Sequence, residues 1–131
     1  MIKVKAIVEV KPTEDVEKVK KALLNLMIPE KIEIENKGET QFIVAEGSGI
    51  ESLLKLHEAL KRRRILTAAR NVMKQSVIGT NMIIYLNKQA AYMGYASFCQ
   101  REGESPLGPI TIEVICDSDN EINELIDILT S

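Results

Sequence analysis

The feature that most limits what this chain can fold into is the switching of its apolar period. At residues 2–10, Ile2, Val4, Ala6, Val8 and Val10 alternate with Lys3, Lys5 and Glu9, and Ile7 is the one break. A repeat of two divides side chains between the two faces of a strand, so a half-buried strand is predicted here. Val16, Val19, Ala22, Leu23 and Leu26 then recur at three and four, the spacing of one helix face. Pro12-Thr13-Glu14-Asp15 precedes them. Thr13 suits an N-cap, the two acids suit the positive end of the helix dipole, and Pro29 sets the limit of the helix. Alternation returns at 31–36 with Ile32 and Ile34, Asn36-Lys37-Gly38-Glu39 is turn chemistry, and Phe42-Ile43-Val44-Ala45 is a further strand. Residues 1–46 therefore read as a β-α-β-β unit.

Glu46-Gly47-Ser48-Gly49-Ile50-Glu51 leads into the next helix. A Gly-rich strand-to-helix turn can hold phosphate, but this one has neither dinucleotide-binding spacing nor the Lys-Ser/Thr ending of a P-loop. A capping box of Ser48 and Glu51 accounts for it without a ligand. Leu53, Leu56, His57 and Leu60 form one stripe, whereas Ile65, Ala68, Ala69 and Val72 form another, rotated by roughly 100° at helical spacing. One straight helix cannot bury both stripes on one surface, so a bend or break is predicted near residues 62–64. That gives two helices in series, and on the second Arg63, Arg70 and Lys74 share one sector, spaced like successive phosphates.

Residues 59–101 contain no Asp and no Glu and carry eight cations: Lys61, Arg62, Arg63, Arg64, Arg70, Lys74, Lys88 and Arg101. Residues 1–58 have a charge of −2 and residues 102–131 of −8, so the formal −2 of the whole chain conceals a polarised distribution. Polarity of this kind suits a polyanionic partner or a second copy of the chain. Within the basic stretch, Met82-Ile83-Ile84-Tyr85-Leu86 reads as a strand, Asn87-Lys88 as a turn, and residues 90–98 as the returning strand of a hairpin. Tyr85, Tyr92 and Tyr95 beside Lys88 and Arg101 offer rings for base stacking. A polar, Gly/Pro-punctuated loop at 100–109 precedes a strand at 110–116. Asp117-Ser118-Asp119 then opens a last helix with Ile122, Leu125, Ile126 and Leu129 as its buried stripe, capped by Ser118 or Asp119.

Length and composition exclude several classes. At 131 residues one domain is expected. A core must be built from aliphatic residues, because Trp is absent and aromatics make up 4% of the chain. No apolar run approaches the 18 or so residues of a membrane span and no secretory leader is recognisable, so the expected location is cytoplasmic. His57 is the one histidine, which argues against zinc, and no cofactor is expected. The acids at 117–121 lack the spacing of a calcium loop. Cys99 and Cys116 lie in apolar surroundings and read as small core residues, with a disulfide open if neighbouring strands carry them. No nucleophile–base couple or paired carboxylates stand at persuasive spacing, so no catalytic activity is expected.

Leu86-Asn87-Lys88-Gln89-Ala90-Ala91, Ser105-Pro106-Leu107-Gly108-Pro109-Ile110 and the β-α-β-β opening together resemble a family of small archaeal proteins of unknown function, often described as RNA-binding. The resemblance spans essentially the whole chain. It implies a fold similar to ribosomal protein L5, α+β with a curved antiparallel sheet and helices on one face, and an RNA-related role. It also adds Asn87, Lys88 and Gln89 to the candidate contacts. The residues alone leave a ferredoxin-like fold as the alternative. The RNA-binding set is then Arg62, Arg63, Arg64, Arg70, Lys74, Asn87, Lys88, Gln89 and Arg101, with structured RNA as partner and a homodimer as the expected state. The competing function is self-association, the basic centre pairing with the acidic C-terminal region.

Overall fold

A computed structural model describes residues 1–99 and 108–131. Arg101, the other residues of the polar loop up to 107, and the Ser105-Pro106-Leu107 part of the second motif lie outside the described residues. In chain order the elements are β1 (Lys3–Val10), α1 (Val16–Leu24), β2 (Lys31–Lys37), β3 (Thr40–Ser48), a 3-10 turn (Ile50–Leu53), α2 (Leu54–Arg62), α3 (Leu66–Gln75), β4 (Val77–Ile78), β5 (Asn81–Asn87), α4 (Lys88–Tyr92), β6 (Pro109–Ile115) and α5 (Asp119–Leu129).

The strands form one antiparallel sheet in the order β2-β3-β1-β6-β5-β4. The connection from β1 through α1 to β2 leaves room for β3 between them. This is the split β-α-β arrangement that the ferredoxin-like alternative shares, and the β4–β5 hairpin extends the sheet beyond it. Period-2 alternation sends Val4, Ala6, Val8 and Val10 of β1 to one face. The register places Ile43 and Ala45 of β3, Ile110, Ile112 and Val114 of β6, and Met82, Ile84 and Leu86 of β5 on that same face. All are buried, in one core cluster with Leu23 of α1, Leu56 and Leu60 of α2, Met73 of α3 and Leu125 of α5. The helices therefore cover one face, and among the described residues the other face of the sheet is bare.

Three local expectations need correction. Residues 90–98 do not return as a strand. Asn87 instead caps α4, its side chain accepting the Ala90 N–H at 2.8 Å. Lys-Gln-Ala-Ala is good helix former once capped, and β6 takes the place beside β5. Of the expected return strand there remain a bridge from Leu86 to Phe98 and bonds from the Asn87 and Cys99 amides to the Ser97 and Tyr85 carbonyls. The cap of α1 is Asp15, two residues after Thr13, its carboxylate accepting from the Glu17 amide. The capping box at 48–51 does not form either. Gly49 holds the cap position at φ 74, Ser48 bonds Glu30, and the Ser52 hydroxyl donates to the Gly49 carbonyl. Ser118 caps α5 as expected, accepting from the Glu121 amide at 3.2 Å.

Candidate nucleic-acid interface

The predicted break falls between α2 and α3, and it is built in a specific way. Arg64 has φ 57, a left-handed value in a non-glycine residue. The Arg64 amide bonds the Lys61 carbonyl and the Ile65 amide bonds the Leu60 carbonyl. That pair of bonds is a Schellman motif, in which the left-handed position usually belongs to glycine. An L-residue there costs about 1–2 kcal/mol. We expect Arg64→Gly to raise stability by roughly 0.5–1 kcal/mol, the relief being offset in part by a freer unfolded chain; urea unfolding measures it.

Four consecutive cations, Lys61 to Arg64, are exposed at the corner where this motif ends α2. Lys61, Arg62 and Arg64 line a shallow depression with Glu58. Two of the arginines reach across to the segment after α4. The Arg62 guanidinium donates to the Gly94 carbonyl at 3.1 Å, and the Arg63 guanidinium lies 5.3 Å from the centre of the Tyr95 ring. Tyr95 remains 45% exposed. Asn25 holds this segment against α1, donating to the Ala91 and Tyr92 carbonyls. Lys21 of α1 sits 5.1 Å from the Tyr92 ring. The result is a basic corner with one aromatic ring, Tyr95, against it.

The remaining expected contacts are dispersed. Arg70 faces the last helix, its guanidinium 2.6 Å from the Asp127 carboxylate and 3.4 Å from the Thr130 hydroxyl. This pair joins the basic centre to the acidic end within one chain. Lys74 is exposed on α3. Because α3 begins at Leu66, Arg63 does not share a helix with Arg70 and Lys74, and the common sector drawn through them is not formed. The buried side of α3 is Ala69 and Met73, while Ala68 faces solvent. Gln89 is exposed beside the start of α1, in a groove with Lys18 and Tyr92. Asn87 is spent on its cap. Lys88 is 3% exposed, 2.8 Å from the Glu14 carboxylate and 2.7 Å from the Glu9 carbonyl oxygen. It does not reach the surface as an RNA contact.

Tyr85 lies on the bare face of the sheet, across the molecule from Tyr92 and Tyr95. The register sets it beside Thr111, in line with Ile7. Lys61, Lys21 and the Gly94 carbonyl were not among the expected contacts. Lys61 was legible as part of the acid-free run, whereas the other two depend on α1 and α4 meeting. His57 is half-buried, with Nε2 3.1 Å from the Ser131 carbonyl oxygen. Burial, and next the Glu121 carboxylate, push the Cys116 thiol up, which keeps it a weak nucleophile. Among the described residues no group of three or more His, Cys, Asp or Glu side chains is placed to hold a metal, and no helix is long and apolar enough to cross a membrane.

A UPF0201 protein of Aeropyrum pernix is 49% identical over 107 residues, 81% of this chain and 71% of that protein. One from Pyrobaculum neutrophilum is 42% identical over 127 residues, covering 96% and 87%. The crystal structure of the UPF0201 protein from Methanococcus jannaschii superposes with a TM-score of 0.82 at 32% identity, covering 98% of this chain and 99% of that one. A DUF54 protein from Methanothermobacter thermautotrophicus shares the fold, with a TM-score of 0.63 at 18% identity. The family model described as RNA binding matches residues 3–116. The chain therefore belongs to this archaeal family of RNA-binding description, the UPF0201 proteins.

Proposed function

We propose that this protein binds structured RNA without catalysing a reaction on it, acts in the cytoplasm, and holds phosphates at the corner between α2 and α3. The observation that carries this reading is the left-handed Arg64. A backbone conformation that favours glycine is occupied by an arginine, the last of three consecutive exposed arginines. Strain held where side chains converge is a mark of a working site. The stacked pair of Arg63 and Tyr95 supports a base or sugar contact next to the phosphates. The family's RNA-binding description is consistent with this partner. Arg70 contributes less, since Asp127 already neutralises it.

A homodimer is part of the same proposal. With Arg70 and Asp127 paired inside one chain, the polarity between basic centre and acidic end is partly satisfied without a second copy, so association needs another surface.

Amide chemical-shift mapping with a structured RNA tests the location. The expected result is that shifts concentrate at residues 61–66 and 92–96. Shifts confined to the strands of the bare sheet face would reject the corner as the site.

A further inference from the structure

The bare face of the sheet is not an ordinary solvated surface. Its composition follows from the register. One row across the strands reads Lys31, Glu46, Lys5, Glu113, with unlike charges adjacent at every step. The next row reads Glu33, Val44, Ile7, Thr111, Tyr85 and is uncharged from its second member onward. Phe42 flanks that row on β3 and Ile83 flanks it on β5, while Ile115 stands beyond Glu113 on β6. At the rim, Ile78 of β4 is 78% exposed. A polyanion has little to hold here, because each lysine of the charged row stands next to a glutamate.

We propose that this face is the contact between two copies of the chain, packed sheet against sheet. The face is self-complementary. A two-fold axis along the strands, between β1 and β6, sets Lys5 opposite the partner's Glu113 and Val44 opposite the partner's Tyr85. A two-fold axis across the strands, through Ile7, sets Lys5 opposite the partner's Glu9 and Ile7 on the partner's Ile7. Either way an isologous contact brings Lys5 to a carboxylate and apolar side chains onto one another, as a closed dimer requires. Sheets pack face to face at about 10 Å with strands nearly aligned, and both axes satisfy this. The area is also adequate. Five strands of about seven residues span about 24 by 24 Å. That is roughly 600 Å² a side, which brings the pair to the lower bound of specific interfaces at about 1,200 Å² in total. The basic corner lies on the helical face, so both copies keep it exposed.

Sedimentation equilibrium of the full chain and of two variants tests this. The wild type is expected to be a dimer with a micromolar or tighter constant. Ile7→Lys, at the centre of the face, is expected to weaken it at least about 30-fold. Lys5→Glu, at an exposed position, is expected to weaken it about tenfold by setting like charges opposite each other. Restoration by Glu113→Lys or by Glu9→Lys in the Lys5→Glu background identifies the axis. A wild type that stays monomeric to about 100 µM would overturn the proposal. So would folded variants, judged by circular dichroism, that dimerise as the wild type does. Photo-cross-linking of RNA to Phe42 and Tyr85 on a monomeric wild type would assign the face to nucleic acid instead.

Discussion

Lys88→Met is expected to cost about 3 kcal/mol of folding stability, a large share of the roughly 5–15 kcal/mol of an ordinary domain. The Lys88 side chain is 4% exposed and that of Glu14 is 11% exposed. The ammonium bonds both the Glu14 carboxylate and the Glu9 carbonyl, tying α4 to the end of β1 and the start of α1. Met fills the same volume but leaves the carboxylate without its cation in a poorly solvated place. That imbalance, more than the loss of the pair, sets the size of the effect. Glu14 also accepts the Lys11 amide at 3.0 Å and opens on the groove beside α4, which holds the cost toward the lower end. Replacing both residues, Lys88→Met with Glu14→Leu, is expected to recover more than half of the loss, because no charge is then stranded. Urea unfolding reads the single variant as a shift of the midpoint by about 1–2 M and the double variant as less than half of that. A loss below about 1 kcal/mol in the single variant would mean that water reaches Glu14. RNA affinity is expected to be unchanged by Lys88→Met, since the ammonium faces inward.

The second large effect is on binding. Changing Arg62, Arg63 and Arg64 together to Glu is expected to lower affinity for a structured RNA at least about 100-fold near 0.1 M salt. Three charge-assisted contacts at about 1 kcal/mol or more each account for that factor. The same variant should fold almost as stably as the wild type, because all three side chains are exposed. The main loss is the Arg63–Tyr95 stack, about 0.5–1 kcal/mol. Fluorescence anisotropy gives the affinity and thermal unfolding gives the stability. Reversal of Lys74, which stands on α3 away from the corner, should cost less than tenfold.

Much of this architecture was legible because strands and helices announce themselves by period. β1, β2, β3 and β6 follow from alternation, and the break at Arg64 follows from two apolar stripes that cannot share one surface. What failed was local chemistry with two meanings. Asn87 is equally a turn residue and a helix cap, and the following Ala90, Ala91 and Tyr92 fit a strand as well as a short helix. β4 has two residues, too few to carry a period. The site divides along the same line. The run from Arg62 to Arg64 is contiguous and could be read directly. The stacking of Arg63 on Tyr95 joins residues 32 positions apart, and only the packing of the helices brings them together. Lys88 misled for a related reason. A lysine is expected at the surface, and the carboxylate that holds it inside lies 74 residues away. The sector through Arg63, Arg70 and Lys74 failed because the second helix begins at Leu66, leaving Arg63 at the end of the first.

The most direct test of RNA binding at the corner is a titration of labelled structured RNA with wild-type protein across a salt series. Four cations engaging phosphate imply that the logarithm of affinity falls with the logarithm of salt at a slope of about −2.8 to −3.6. In the Arg62, Arg63 and Arg64 charge-reversal variant the slope should collapse toward zero along with the affinity. Binding that ignores salt, or no binding to the wild type at about 50 mM salt and high protein concentration, would contradict the account.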